Sequence, residues 1–598
     1  MKRLISCLIY CIVFLMLPNN IRAVEKPNII VVFSDDHGYA DLSVQGVFDD
    51  VKTPNIDFLA NHGRRCSAGY VTAPQCVPSR AGLLTGRSQN RFGVESNGED
   101  LTGFNEQLTI AERLKQRGYA TGMVGKWHLG APGDIVTHGF DDVFYTDGRW
   151  SNFDTDGNDV KAGTTFPGRY HLEQNNEAAL AFIQRHHDEP FFLYLAHRAP
   201  HVPLSAPKKY LDRFTEKMPK RRRLALAMLS CIDDGVGAIR QSLEQHGIEE
   251  NTLIFFIGDN GAPLKIHKLD APGGGPGWDG SLNDPFNGEK GMLTEGGIRV
   301  PFVVYWKGML GHEGSIDDSE YHAPVSSLDV AATAASLAGI ELDDSFDGVN
   351  LIPYLSGQRA GVPHNTLYWR WMTQAAVQSD GWKYLRSGPR EYLFNLEQDP
   401  GEKNNLINEH PKVSTRLSSE LEAWATELSP AGLKKEDAGK AVADFYDFYL
   451  EGKPAPKLPE FTAPSTAPIQ GIIARSASLK HNPPVLSVTP QDKNKVPFLV
   501  LNGLKLPSTF EVRMMLKNQN GGQAKVAWRR DGERDFDNAS IVTTNVPTTN
   551  KFQEVKLQVA TSTRVVHLRV VLPKGDSSIQ HIEAYDSSGN LLIRKQFR

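Results

Sequence analysis

Asn28-Ile29-Ile30-Val31-Val32-Phe33-Ser34-Asp35-Asp36 decides the fold, because five consecutive apolar residues run almost directly into an acidic pair. An apolar run without polar alternation reads as a strand buried on both faces, the habit of a parallel sheet covered by helices. Three more runs repeat the arrangement. Tyr119–Val124 leads to Lys126 and His128, Phe191–Leu195 leads to His201, and Leu253–Ile257 leads to Asp259 and Asn260. Amphipathic stretches alternate with these runs from Pro27 to about Ile340, which predicts an α/β fold with helices flanking a mostly parallel sheet. Such sheets bind ligands beyond the carboxyl ends of their strands, so the four polar ends are expected to share one site. Strands commonly end in polar residues because loops are wet. An acidic pair, an acid–amide pair and a Lys-x-His together go beyond that.

Outward from this body, residues 24–345, the pattern changes. Residues 346–430 predict a small α+β subdomain, with strand-like Trp382–Leu385 and Tyr392–Leu396, a turn at Asp399-Pro400-Gly401 and a helix around Lys412–Leu428. Residues 431–474 are expected to form a linker, on the proline-rich composition of 452–470. From 475 to 598 short alternating runs such as Phe510–Met515, Lys525–Trp528, Glu554–Val559 and Val565–Val571 are punctuated by turn signals such as Asn520-Gly521-Gly522. This predicts an appended β-sandwich.

Residues 1–23 read as an export signal: Met1-Lys2-Arg3 is cationic, Leu4–Leu17 is nearly all apolar, and Ile21-Arg22-Ala23 offers a cleavage end. The competing reading is a membrane anchor, but the apolar run is shorter than the roughly 20 residues that cross a bilayer. A secreted or periplasmic protein without a membrane span is expected. The composition, 40% hydrophobic with 65 basic and 70 acidic residues, excludes a disordered chain, a collagen-like fibre and a disulfide-stapled miniprotein. Without residues 1–23 the formal charge is −8, which gives no electrostatic case for nucleic acid. Cys66, Cys76 and Cys231 then remain, too few for a disulfide framework, and at least one is unpaired or modified. Cys66 with Cys231 is an open pairing.

The most informative stretch is Cys76-Val77-Pro78-Ser79-Arg80-Ala81-Gly82-Leu83-Leu84-Thr85-Gly86-Arg87. Pro78 suits the first turn of a helix, so Cys76 falls at a helix amino terminus, where the dipole favours an anion. By that physics alone Cys76 is either a nucleophile or a small buried hydrophobe.

Cys-x-Pro-Ser-Arg-x-x-x-x-Thr-Gly-Arg resembles the signature of type I sulfatases of the alkaline phosphatase superfamily. In that family the cysteine is oxidised after translation to formylglycine, whose hydrate is the nucleophile. The resemblance runs from about residue 27 to 407. It implies an alkaline phosphatase-like mixed sheet and a sulfuric ester hydrolase. It also implies maturation of Cys76 by a formylglycine-generating enzyme or an anaerobic sulfatase-maturating enzyme. By the same resemblance Asp35, Asp36, Asp259 and Asn260, with residue 76, are metal ligands. Lys126, His128, His201 and Lys290 match sulfate-binding and proton-transfer groups, and Arg80 matches the arginine that steadies the nucleophile. Three carboxylates and an amide are hard oxygen donors, which suit Ca²⁺ or Mg²⁺ better than Zn²⁺; Ca²⁺ is the expected ion.

Loops at 146–171 and 262–287 hold Arg149, Trp150, His171, His267, Trp278 and Asn283, and aromatic groups beside polar ones suit a sugar ring. Of these, Arg149, Trp150, His171, Trp278 and Asn283 are the candidate substrate contacts. The motif and the Arg91-Phe92-Gly93 run resemble sulfatases of galactose or N-acetylgalactosamine sulfates, so a sulfated polysaccharide or oligosaccharide is the expected substrate. Two rivals are a phosphate or phosphonate ester hydrolase of the same superfamily and a catalytically silent carbohydrate-binding protein. His37, His197 and Trp127 are expected to be structural, and Asp233 and Asp234 to be structural or cap-related.

Overall fold

The computed structural model of the chain describes residues 26–597 except 99, 146–149, 167, 265–278, 312–318, 437–438, 455–468, 491–495 and 531–539. The chain divides into two compact units, residues 1–458 and 459–598.

The first unit is built on a sheet with ten strands among the described residues. Six of them position the site: β1 (Asn28–Asp35), β2 (Ala120–Gly125), β3 (Asp142–Tyr145), β4 (Phe191–Pro200), β5 (Thr252–Gly258) and β6 (Phe302–Tyr305). Their order across the sheet is β6-β5-β1-β4-β2-β3, with β1 to β5 parallel and β6 antiparallel to β5. The four apolar runs are therefore the four central strands. Their alternation is apolar on both faces: Ile29, Val31 and Phe33 enter one core, and Ile30 and Val32 enter the other. This is why the sequence shows no polar periodicity there.

The helices α1 (Pro54–His62), α3 (His171–His186) and α4 (Lys220–Gln245) pack on the second face; α2 (Cys76–Thr85) and α5 (Leu328–Leu337) pack on the first. Asp233 of α4 caps α1, accepting the backbone N–H groups of Asn55 and Ile56 at 2.9 Å each and the Asn55 amide at 2.8 Å. That satisfies two of the orphan donors at a helix start whose own cap residue, Thr53, makes no capping bond. Gly235 and Gly237 on α4 let Asn176 and Asn55 approach; a Cβ there would lie 2.2 and 2.4 Å from their side chains. Cys66 and Cys231 are free and buried in cores on opposite faces of the sheet, so they do not pair.

An antiparallel meander follows: β7 (Thr366–Trp371), β8 (Gln374–Ser379), β9 (Trp382–Ser387) and β10 (Arg390–Asn395), covered by α6 (Pro411–Ala425). The expectation of a linker from 431 fails over residues 440–449, which form α7 (Lys440–Tyr449). Phe445 and Tyr446 are buried in the main core, and the prolines that suggested a linker begin only at Pro454. Residues 455–468 lie outside the described residues.

The second unit has two antiparallel sheets around one apolar core, a β-sandwich. One sheet has five strands among the described residues: β11 (Ile473–Arg475), β12 (Phe498–Leu501), β13 (Gly522–Arg530), β14 (Ile541–Val546) and β15 (Val565–Val571), ordered β11-β12-β15-β13-β14. Among the described residues, no helix is long and apolar enough to cross a membrane.

Candidate active site

The backbone draws the strand ends together. Asp259 N–H donates to Ser34 O at 2.8 Å, His201 N–H to Asp35 O at 3.1 Å, and Lys126 N–H to Ala196 O at 2.7 Å, so each polar end is tied to its neighbouring strand. Gly125 permits the last contact: at φ 98° it sits where a Cβ would lie 2.1 Å from Ala196 O. Asp36 and His128 follow their strands at φ 58° and 63°, left-handed positions that non-glycine residues adopt chiefly where the surroundings enforce them.

Cys76 is the first residue of α2 and is buried. Gln75 makes no side-chain cap; instead Asn97 Oδ1 accepts Val77 N–H at 3.0 Å, and Asn97 N–H donates to Gln75 Oε1 at 2.9 Å. The Cys76 Sγ lies 3.2 Å from Asp35 Oδ1, 4.0 Å from Asp36 Oδ1 and 3.5 Å from Lys290 Nζ. Burial, reinforced by the Asp259 and Asp35 carboxylates, pushes its thiol well above the usual range. The two readings left open by the sequence separate here: the unmodified side chain is held as a neutral thiol, a poor nucleophile.

Around it three anions meet three cations. Lys126 Nζ reaches Asp35 Oδ2 at 2.6 Å, Lys290 Nζ reaches Asp36 Oδ1 at 2.8 Å, and Arg80 Nη2 reaches Asp259 Oδ2 at 2.7 Å. All six side chains are buried. Burial opposes the charge of Asp35, but Lys126, His201, Arg80 and Lys290 outweigh it and hold the carboxyl well below its ordinary value. Asp259 moves the other way, raised by burial and by Asp35. Arg80 also donates to Lys126 O at 3.0 Å and to the Tyr194 hydroxyl at 3.2 Å. Tyr194 escaped the sequence reading because it sits inside an apolar strand, with its hydroxyl as the one polar signal.

Asn260 is buried and donates to Asp36 Oδ1 at 2.7 Å, which leaves its Oδ1 in the same cluster with no hydrogen-bond partner. A buried acceptor without a donor, beside three carboxylates, fits a hard cation. Asp35, Asp36, Cys76 and His201 offer ligand atoms within 4.8 Å of one another, so His201 joins the residues that surround such an ion. His201 Nε2 lies 3.5 Å from Asp36 Oδ2, and its Nδ1 pairs with Val202 O at 2.6 Å. His128 is exposed, and the crevice's desolvation together with Lys126 and Arg80 pushes its imidazole well below the ordinary value. The solvent-facing side of the cluster is thus the side of His128 and the half-buried His201.

Of the candidate substrate contacts, Asn283 is corrected. It is fully buried, and its amide is spent on backbone: Oδ1 accepts Ala262 N–H at 2.8 Å, and Nδ2 donates to Ala262 O and Gly288 O at 2.9 and 3.1 Å. It splints the two segments that carry Asn260 and Lys290. Trp150 is half-buried at the start of a short strand that pairs with β3 on one side and with Asp159–Thr164 on the other, and His171 opens α3 beside Tyr170 at 5.0 Å. Arg149, His267 and Trp278 lie outside the described residues.

The meander and α7 brace the Lys290 loop in ways the sequence did not reveal. Gln374 of β8 accepts Leu293 N–H at 3.2 Å and donates to Gly291 O at 2.9 Å, and Tyr446 donates to Gln374 at 2.5 Å. Tyr449 donates to Glu289 Oε1 at 2.8 Å, and Asn287 donates to Tyr449 O at 2.8 Å. Asp279 was also missed; burial and Asp36 raise it to about 6, opposed first by Arg221, ion-paired to it at 2.8 Å, and then by His201 and Lys290. Other expectations hold locally. His37 is satisfied by Ser34 at 2.8 Å and Asp41 O at 3.1 Å, and Trp127 is buried with its Nε1 donating to Leu129 O at 2.8 Å.

The sequence model of the sulfatase family matches residues 27–340, more than half of the chain. The N-acetylgalactosamine-6-sulfatase of Mus musculus is 34% identical over 429 residues, covering 65% of this chain and 78% of that protein. Arylsulfatase J of Mus musculus is 27% identical over 487 residues, covering 69% and 78%. The crystal structure of Ps i-CgsB in complex with k-i-k-neocarrahexaose superposes with a TM-score of 0.59 at 30% identity, covering 69% of this chain and 95% of that one.

Proposed function

The chain belongs to the sulfatase family, and from that premise we propose that it hydrolyses sulfate esters of a sulfated carbohydrate with a formylglycine made from Cys76 and a bound divalent cation. The observation that carries the proposal is the setting of Cys76. It opens a helix, is buried, and lies 3.2 Å from Asp35 and 3.5 Å from Lys290 at the convergence of four strand ends. Relatives named for N-acetylgalactosamine-6-sulfate and a neighbour solved with a neocarrahexaose support a carbohydrate ester.

A hydrated formylglycine at position 76 supplies two geminal hydroxyls, one to attack sulfur and one whose loss of a proton expels sulfate. A divalent cation supplies Lewis acidity toward the sulfate oxygens, and Asp35, Asp36, Asp259 and Asn260 would hold it. With three cations already balancing three carboxylates, a doubly charged ion makes the site net positive toward an anionic ester. Ca²⁺ suits an all-oxygen protein donor set better than Mg²⁺, which retains waters and demands octahedral geometry.

The chain's own residues then divide the work. Lys126 and Lys290 direct ammonium groups at the position where sulfate oxygens arrive, offsetting charge that grows in the transition state. Arg80, anchored to Asp259, Tyr194 O–H and Lys126 O, fixes the start of α2 and with it position 76. His201, on the open side, or Lys290 protonates the departing alcohol. His128, held neutral by its surroundings, takes the proton from the second hydroxyl. Residues 1–23 support export to the periplasm or beyond, and conversion of Cys76 requires a maturating enzyme encountered before folding buries the thiol.

The test is release of inorganic sulfate from defined sulfated oligosaccharides, beside matched phosphate and phosphonate esters. Preferential sulfate release, abolished by Cys76→Ala, is expected. Preferential phosphonate hydrolysis overturns the proposal.

A further inference from the structure

Helix α2 begins with the residue that reacts, and its first turn has few fastenings of its own. Gln75, the residue before it, offers no side-chain cap. Ser79 N–H makes the first helical bond, to Gln75 O at 3.2 Å. Pro78 has no N–H, so Val77 carries the one amide hydrogen between residue 76 and that bond. It is taken by Asn97 Oδ1, at 3.0 Å and 20 residues along the chain. The contact is reciprocal, since Asn97 N–H donates to Gln75 Oε1 at 2.9 Å. A capping box satisfies two such donors from within one helix start. Here a comparable pair of bonds joins the helix to a separate segment.

That segment is itself held. After α2 the chain passes a tight turn at Gln89–Phe92, where Val94 N–H donates to Gln89 O at 3.0 Å, and returns to the helix start. Two residues before Asn97, the buried Glu95 is paired with the buried Arg370 of β7, Oε1 to Nε at 2.5 Å. Arg370 spends its other nitrogens on Pro430 O at 2.6 Å, Gly432 O at 2.8 Å and Ser429 O at 3.1 Å. Asn90 Nδ2 donates to Arg370 O at 2.9 Å. Breaking a buried pair of this kind is costly, because either partner alone is an uncompensated charge. The meander therefore grips both flanks of residue 76. Gln374 holds Gly291 beside Lys290, and Arg370 holds the segment that carries Asn97.

We infer that Asn97 is a positioning residue for the nucleophile, acting through its clasp with Gln75 and Val77. The inference rests on the reading of residue 76 as that nucleophile. Arg80 pins α2 one turn further in, at Asp259 and Tyr194. A helix start pinned there alone can still rock about that anchor, and Asn97 supplies a second one on its amino-terminal side. The side chain at 76 has to stay 3.2 Å from Asp35 and 3.5 Å from Lys290. Displacing a reacting group by about 1 Å can cost about a hundredfold in rate.

The test is turnover by the full-length chain carrying Asn97→Ala, expressed as kcat per formylglycine, with the aldehyde at position 76 quantified by mass spectrometry. An aryl sulfate is compared with a sulfated oligosaccharide. A positioning role predicts the same loss on both, about tenfold to a hundredfold in kcat, with KM unchanged. Asn97→Asp keeps an acceptor for Val77 N–H, and a carboxylate suits a helix amino terminus, so it should restore most of kcat. Its added charge acts on KM, so the rescue is read in kcat. If Asn97→Ala does not fold, as read from thermal unfolding, Gln75→Met removes the acceptor of Asn97 N–H and should show the same selective fall in kcat. A lowered melting temperature with wild-type kcat per formylglycine overturns the inference, because it marks a purely structural cap. A loss confined to KM or to the oligosaccharide also overturns it, because it marks a substrate contact. If the wild type hydrolyses a phosphate or phosphonate ester in place of sulfate, the sulfatase reading fails, and the same comparison on that ester still decides for or against the clasp.

Discussion

Arg80 and Asp259 form a wholly buried ion pair at the floor of the crevice, Nη2 to Oδ2 at 2.7 Å, with Asp35 Oδ1 3.7 Å from the same nitrogen. A buried pair of this kind is stable only while both members are present, because either one alone is an uncompensated charge in a poor solvent. The pair therefore couples the start of α2 to the end of β5.

Replacing Arg80 with methionine removes the cation and leaves Asp259 and Asp35 facing each other. A loss of about 3–5 kcal/mol is expected from chemical denaturation, together with loss of sulfate release. Arg80→Lys should recover part of the stability and less of the activity, since an ammonium cannot reach Asp259, Tyr194 and Lys126 O at once.

Removing divalent ions with a chelator should lower the melting temperature and abolish sulfate release. Ca²⁺ at a hundredfold excess over its Kd should return about 2.7 kcal/mol. Zn²⁺ should restore less, because the cluster offers mainly oxygen donors. An unchanged melting temperature after chelation would contradict the cation reading.

His128→Ala and His201→Ala should each lower kcat by about 10²–10⁴-fold, the usual worth of a positioned acid or base. His128 is exposed, so its variant should unfold at the wild-type temperature. A small effect of either substitution on kcat would remove that residue from proton transfer.

Stability should also titrate through His364, far in sequence from the catalytic cluster. Its Nε2 lies 2.8 and 2.9 Å from the two oxygens of buried Asp329; burial opposes the charged ring, but Asp329 prevails and raises its pKa. A folded-state value above the unfolded one contributes stability that is complete below about 6.5 and is lost as pH rises through the folded value. The melting temperature should therefore fall over that interval in wild type, and His364→Gln should flatten the fall.

The legibility of the chain followed from what each residue needed. β1, β2, β4 and β5 were readable because strands buried on both faces must be apolar throughout, and the site was readable because each apolar run is followed by its chemistry within four residues in Asp35, Asp36, Lys126, His128, Asp259 and Asn260, or six in His201. Cys76, Arg80 and Lys290 are set by α2 and by a loop, and were readable only through a motif. Asn283 looked like a polar loop residue because nothing local shows that its amide is consumed by the backbone of Ala262 and Gly288. Helix α7 was lost to the prolines that follow it, since its packing depends on Gln374 and Glu289, about 70 and 160 residues away.

The central claim is that residue 76 does not work as cysteine. Mass spectrometry of the peptide containing Cys76, from protein purified in active form from its native host, tests this most directly. An aldehyde at position 76, in a fraction that tracks specific sulfatase activity, is the predicted result. Full activity in protein whose Cys76 remains an unmodified thiol would contradict the account.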